Sequence, residues 1–321
     1  MSTKPSAVSL YKRKHGFIAN FVYDLRKNPA LLVMMIPSVV FFIIFSYIPM
    51  VGVYYAFTNY NVRLGLFGSP FVGLKNFAFM FTSGNAITFT LNTLGYNVIF
   101  IVVGTFLKIA FAVMMAEMSA KLFKKTCQTI MFLPNFISMV LVGAFCYAMF
   151  NYSRGFINST LTTLGQGKFD FYSNGWVWWI IIPLVNFWKG TGYGTVVYMS
   201  AIMGISDELY EAADLDGATF MQQVRFITIP CIRPTIVILF LMGLGGIMHG
   251  QFDLFYQLVG RASLVRNSTE IIDTYVFRAV TESFDVNRGT AIGLYQSVIG
   301  FLLVIGSNLL VRKIEPEMAL F

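Results

Sequence analysis

Long apolar runs alternate with short polar connectors along this chain. Six runs carry almost no charge, at roughly 31–57, 92–118, 127–150, 177–203, 232–254 and 290–311. Each exceeds the roughly 20 residues that a helix rising 1.5 Å per residue needs to cross about 30 Å of hydrocarbon. The pattern predicts an all-α membrane protein with six transmembrane helices. The first run, LLVMMIPSVVFFIIFSYIPMVGVYYAF, is longer than a bilayer requires, and Pro37 and Pro49 predict a bend within it. The remainder divides into a basic tail over residues 1–30, a six-span domain over 31–313 and a short tail over 314–321. The connectors at 58–91 and 255–289 read as loops, the first containing the turn-rich text GLFGSPFVGLKNF.

The longest polar connector near the middle of the chain, 204–231, has structure of its own. Within SDELYEAADLDGATFMQQVRFITIP, residues 206–230, five of the first eleven positions are acidic: Asp207, Glu208, Glu211, Asp214 and Asp216. The chain has only 15 acids in all, so this is a local concentration. Ser206 is a suitable N-cap, and Asp207 and Glu208 complement the helix dipole in the first turn. Gly217 permits the left-handed conformation that ends a helix. Thr219 and Gln222 have the spacing of a capping box for a second short helix, and Pro230 is expected to stop it. Ala212 and Ala213 leave a low, smooth patch beside the Glu211 charge, a shape suited to close approach by another protein.

Composition supports the membrane class. Of 321 residues, 56% are hydrophobic and 12% charged, against roughly a quarter charged in soluble domains. Mean hydropathy is +0.68. The net charge of +8 is spread over tails and loops, so it argues for membrane orientation and not for nucleic acid. Lys12, Arg13, Lys14, Arg26 and Lys27 flank the first run, and the connectors on their side carry the larger share of Lys and Arg. Both termini are therefore expected in the cytoplasm, together with the 204–231 connector. Arg261, Arg266, Arg278 and Arg288 oppose this bias, but Glu270, Asp273, Glu282 and Asp285 accompany them in a long loop. The first apolar run is too long for a cleaved signal and reads as an uncleaved span. Cys127, Cys146 and Cys231 have no disulfide or metal spacing.

Catalytic patterns are absent from the sequence. There is no GxxxxGK[ST] to cradle phosphates, no GxSxG and no HExxH, and His15 and His249 are the only histidines. Glu117 and Asp253 lie at the ends of spans, so no acid is expected near a midplane, as an ion-coupled carrier would need. Work on a solute would therefore draw on a partner's energy.

The pattern Glu211-Ala212-Ala213, Gly217, Ile227 and Ile229-Pro230 resembles the EAA loop of the membrane subunits of binding-protein-dependent ABC importers, with Ile229 where the family has Leu. SPFVGLKNF (69–77), FKKTCQTIMFLPNFIS (123–138), RGFINSTLTTLG (154–165), FWKGTGY (187–193), DTYVFR (273–278) and the stretch 289–313 are similar to the sugar branch of these permeases, specifically its oligosaccharide and polysaccharide importers. The resemblance implies a type I importer permease (MetI-like) fold in a bacterial cell membrane. It implies a heterodimer with a second six-span permease, two copies of an ATP-binding subunit that bind ATP and Mg, and an extracytoplasmic solute-binding protein. No cofactor is expected on this chain. Glu211, Ala212, Ala213, Asp214 and Gly217 would couple to the ATPase, Glu211 facing a basic residue of that subunit. An importer of an amino acid, polyamine or anion, an ion-coupled carrier and a membrane enzyme are the alternatives.

Saccharides bind through aromatic faces and dense hydrogen-bonding groups. Asn186, Lys189 and Tyr193, spaced by three and four residues, share one helix face in the fourth run, and Tyr198 follows. With Tyr96 and Asn97 in the second run, and Gln251 and Tyr256 near the end of the fifth, they are the candidates for a solute path. Each could instead serve a helix contact or an interfacial belt. Lys108 is expected to snorkel to the cytoplasmic surface. Gly190, Gly192 and Gly194 would allow close packing or local unwinding.

Overall fold

The computed structural model describes residues 29–314 apart from residue 83. Lys12, Arg13, Lys14, His15, Arg26 and Lys27 of the basic tail, and residues 315–321, lie outside the described residues. The chain divides into two compact units, Met1–Tyr54 and Tyr55–Phe321. In the first, α1 (Pro29–Phe42) passes into a π-helical turn, Ile43–Tyr47, and then into a 3₁₀ stretch, Ile48–Phe57, whose last three residues belong to the second unit. Pro37 sits inside α1, and the change of hydrogen-bond register begins one turn beyond it. The run is apolar on all sides, as a lipid-embedded helix is.

The second unit is helical throughout its regular structure. Among the described residues the one strand-like pairing is an isolated bridge between Thr58 and Phe71. Its principal helices are α2 (Lys75–Thr82), α3 (Asn85–Ala116), α4 (Lys121–Phe132), α5 (Met139–Phe150), α6 (Phe156–Thr163), α7 (Gly175–Ile202), α8 (Asp207–Leu215), α9 (Ile229–Gly245), α10 (Phe252–Val259), α11 (Ile272–Thr281) and α12 (Val286–Ile314).

Among the described residues, four helical runs are long and apolar enough to cross a membrane: Val33–Phe57, Ala86–Ala116, Phe220–Gly245 and Val286–Lys313. The third expected run is not one straight helix. Lys121–Phe136 and Met139–Phe150 meet at 93°, and counting that pair as one broken span makes five. Pro134 opens the short 3₁₀ turn Leu133–Phe136 at the break, where its missing N–H and fixed φ disfavour a continuing α-helix. Helix α7 has 28 residues, about 42 Å at 1.5 Å each. Its Asn186, Lys189, glycines and aromatic residues dilute its apolarity.

Three further expectations are corrected. Pro230 does not stop a helix: Phe220–Gln223 continues through a π-helical turn, Val224–Thr228, and Pro230 occupies the first turn of α9. The wider π turn supplies the register change that a proline demands, and the first turn of a helix has N–H groups to spare. The fifth run ends at Gly245 instead of continuing to 254, with a turn separating it from α10. The 255–289 connector is not a plain loop, since it holds much of α10 and all of α11. There the buried Arg278 guanidinium pairs with Glu270. Burial, and then the nearby Arg266 charge, lower the Arg278 pKa.

Helices α3 and α7 pack along much of their length and form the spine of this unit. Around the first half of each, Tyr96, Phe100, Trp178 and Ile182 join Phe255 and Leu258 of α10 in one core. Around the second half, Ala112 and Met115 meet Tyr198, Met199 and Ile202. Apolar area alone does not hold such helices together in lipid, where hydrocarbon replaces hydrocarbon, so close packing and hydrogen bonds must do so. Gly192 illustrates the packing: a Cβ there would collide with the Met131 carbonyl oxygen. Asn92 illustrates the bonding, its Nδ2 donating to the Asn267 and Glu270 carbonyls at 3.0 Å each.

Candidate functional site

Helix α7 brings most of the expected path residues to a single groove. Its walls are α3, α7, α9 and the break between α4 and α5, and its volume is about 600 Å³. Asn97, Asn186, Lys189, Tyr193, Tyr198 and Gln251 line it, together with Thr105, Lys108, Thr191 and His249. No Asp or Glu is among its lining residues.

The polar groups at this groove are not equally available. Lys189 Nζ donates to the Pro134 carbonyl at 3.2 Å, to the Asn135 carbonyl at 2.9 Å and to the Ile137 carbonyl. One ammonium thus bonds the carbonyls of Asn135 and Ile137 at the 93° break and adds a second donor to Pro134, whose carbonyl already accepts from the Ile137 N–H at 3.2 Å. Lys189 is therefore a clamp on the broken run. Asn97 Nδ2 donates to the carbonyls of Thr93, Ile247 and His249 at 2.9, 3.0 and 3.3 Å, tying α3 to the turn after α9. Tyr198 is buried in the core, whereas Tyr193 is 62% exposed and meets Phe132 edge to face at 6.3 Å. Asn186 is half-buried, and Gln251 is exposed at the start of α10.

Two expected path residues lie elsewhere. Tyr96 is fully buried, stacked on Trp179 at 4.0 Å, with its hydroxyl donating to the Ser268 carbonyl at 3.0 Å. It belongs to the core and not to the groove. Tyr256 lines a separate groove of about 780 Å³ between α5, the 151–172 connector and α10, where it stacks on Phe252.

Lys108 does not snorkel as expected. Its side chain runs back toward the N-terminus of α3, as helical side chains do. A Cβ on Gly104 would lie 3.9 Å from Lys108 Nζ, and one on Gly194 would lie 2.6 Å from its Cδ. The stem is laid across Gly194 and the ammonium stands one turn before Lys108, away from the expected cytoplasmic end of α3. The Gly104 and Lys108 spacing of four was the only sequence signal for this arrangement.

The acidic connector forms the predicted helix–turn–helix. Ser206 Oγ accepts from the Glu208 N–H at 3.4 Å at the head of α8. At its end Gly217 has φ +74°, the Gly217 N–H donates to the Asp214 carbonyl at 3.0 Å, and the Ala218 N–H donates to the Ala213 carbonyl at 2.9 Å. That 6→1 and 5→2 pair is a Schellman cap. Thr219 and Gln222 form the capping box of the next helix. Two side-chain bonds fold the elements together: Tyr210 Oη to Thr228 Oγ1 at 2.9 Å, and Gln223 Nε2 donating to Asp214. Asp214 is therefore partly engaged within the connector. Glu211 and Ala212 are exposed, Ala213 is half-buried, and Glu211 has no ion-pair partner among the described residues. Leu209, Leu215, Phe220 and Met221 are also exposed around them, Leu215 at 89%. Exposed apolar side chains clustered beside an unpaired carboxylate have the character of a docking face.

No group of three or more metal-ligating side chains is gathered among the described residues.

The chain resembles known proteins over nearly its whole length. It is 32% identical over 287 residues to the polygalacturonan/rhamnogalacturonan transport system permease protein YteP of Bacillus subtilis, covering 89% of each. It is 26% identical to the arabinooligosaccharides transport system permease protein AraP of Halalkalibacterium halodurans, covering 94% of this chain and 93% of that one. Among solved structures, it matches a bacterial ABC transporter involved in the import of the acidic polysaccharide alginate. The TM-score is 0.83 with 31% identity, covering 92% of this chain and 99% of that one. A second match, at TM-score 0.82 and 31% identity over 91% of this chain and 97% of that one, is the bacterial alginate ABC transporter in complex with alginate pentasaccharide-bound periplasmic protein. Residues 108–319 match the family described as binding-protein-dependent transport system inner membrane component, and this chain, an all-helical MetI-like permease, belongs to that family.

Proposed function

We propose that this chain is one of two permeases in a bacterial ABC importer and forms part of the path for an oligosaccharide or polysaccharide fragment. The groove carries the reading: Asn186, Gln251 and Tyr193 offer hydrogen-bonding groups and an aromatic surface within a membrane-buried scaffold, as a sugar ring requires. The relatives named for saccharide transport support it. The acid-free lining counts against proton or sodium coupling, which places carboxylates within the membrane.

In this reading α7 and the bent α4–α5 pair supply the remaining crossings of a six-span domain over 31–313. The tails at 1–30 and 314–321 and the 204–231 connector are cytoplasmic. A second homologous permease completes a heterodimer, and an extracytoplasmic solute-binding protein delivers the sugar. Two ATP-binding subunits complete the assembly, one of them docking on Glu211, Ala212, Ala213, Asp214 and the Gly217 turn of this chain, and ATP and Mg bind to them and not to this chain.

Purification of the tagged chain tests the assembly; recovery without a P-loop subunit would overturn it. Uptake by the assembled transporter tests the path. Asn186→Leu keeps a similar volume but removes both amide functions, and it is expected to lower oligosaccharide uptake about tenfold, equivalent to losing one hydrogen bond worth about 1.4 kcal/mol. Uptake at the parent rate would remove Asn186 from the path.

A further inference from the structure

The groove contains one lysine ammonium that no group among the described residues bonds. Lys189 is committed to three carbonyls, and His249 lies 4.0 Å from Asp273. Lys108 has no hydrogen-bond or ion-pair partner among the described residues, and no carboxylate lines the groove with it. A lysine inside a membrane helix is expensive even by the lenient insertion scale. The usual escape is for the ammonium to reach the nearer surface, yet here the chain is directed the other way, along a slot left open by Gly194 and toward Gly104. Gly194 thus makes room for the stem, and the charge lies at the groove beside Gly104.

We propose that Lys108 makes this groove selective for anionic saccharides, its ammonium reading the carboxylate of uronate rings as they pass. The inference rests on the saccharide-path reading and narrows its substrate class. A single ammonium matches one carboxylate per ring, while Asn186 and Gln251 are suited to hydroxyls and Tyr193 to a ring face. Partial burial of Lys108 strengthens the pairing relative to open water. Because Lys is a flexible point charge and not a rigid fork, it can hold a carboxylate without fixing its orientation. A path needs that weaker grip, since a solute held too well does not leave.

The test uses the complete transporter and its binding protein in proteoliposomes, with two probes: trigalacturonate and its methyl ester, which keeps the rings and removes the charge. Comparing each variant with the parent on the same probe cancels any preference of the binding protein. Lys108→Met is expected to lower the ratio of acid to ester uptake about tenfold, with the complex recovered at the parent yield, and Lys108→Arg to restore most of that ratio. An unchanged ratio in Lys108→Met overturns the inference and leaves the saccharide reading standing. A parent complex that hydrolyses ATP and moves neutral oligosaccharides but neither probe overturns the inference alone; one that moves no saccharide of either kind overturns the saccharide reading and the inference with it.

Discussion

Glu211→Ala is expected to release the ATP-binding subunit from the purified transporter while the permease still inserts. The carboxylate is exposed on α8, without an ion-pair partner among the described residues, so its loss costs this chain's own fold little. Across an interface the balance is different. Truncating one member of a desolvated charge pair costs about 2–5 kcal/mol, because the partner's charge is left buried and unmatched. That corresponds to a loss of affinity of roughly 30-fold or more. Glu211→Lys would place like charges together and is expected to do worse still. Ala212→Trp probes the same face by bulk instead of charge, and it should block approach with the carboxylate intact. Quantifying the ATP-binding subunit recovered on the tagged permease, beside the amount of permease in the membrane, gives the answer. Full recovery and normal uptake with Glu211→Lys would end the coupling assignment.

Lys189→Met is expected to destabilise the assembled permease and abolish uptake, although Lys189 faces the proposed path. The ammonium answers three carbonyls at the 93° break. Methionine preserves the length and apolar stem but removes the donor from Asn135 and Ile137, while Pro134 keeps only the Ile137 N–H. Hydrogen bonds to a charged group contribute about 1.5–3 kcal/mol each, and they are not additive on one donor, so a total on the order of 3 kcal/mol is reasonable. A fall in the thermal transition of the purified complex, with faster proteolysis between α4 and α5, is the expected signature. Arginine should rescue it poorly, because a planar fork does not converge on three oxygens as an ammonium does. A Lys189→Met complex of parental stability but lowered sugar affinity would instead make Lys189 a substrate contact.

Local chemistry was well represented in the sequence. The Ser206 cap, the left-handed Gly217 and the Thr219–Gln222 box all have the geometry their residue types predict, since each depends on atoms within five positions of one another. The helical spine was equally legible from hydropathy. Proline was less so. Pro230 is compatible with either the end of one helix or the start of the next, and the π turn that chooses the second has no signature of its own. The break at Pro134 was hidden in a run that Pro134, Asn135 and Ser138 interrupt only briefly, because a chain can turn through 93° and stay largely apolar when one lysine elsewhere bonds the carbonyls there.

By itself the sequence determined that this is a helical membrane chain, where its polar connector caps and turns, and that Asn186, Lys189 and Tyr193 share a face. Only the tertiary structure decided which polar groups remain available. Asn97 is engaged by a carbonyl 150 positions away, Tyr96 by one 172 positions away, and Lys189 by one 52 positions away. Helical periodicity gives the direction in which a side chain leaves its own axis. It carries no information about the acceptor that a distant segment presents there, and in a medium without water that acceptor decides whether a polar group holds the fold together or remains free for a solute.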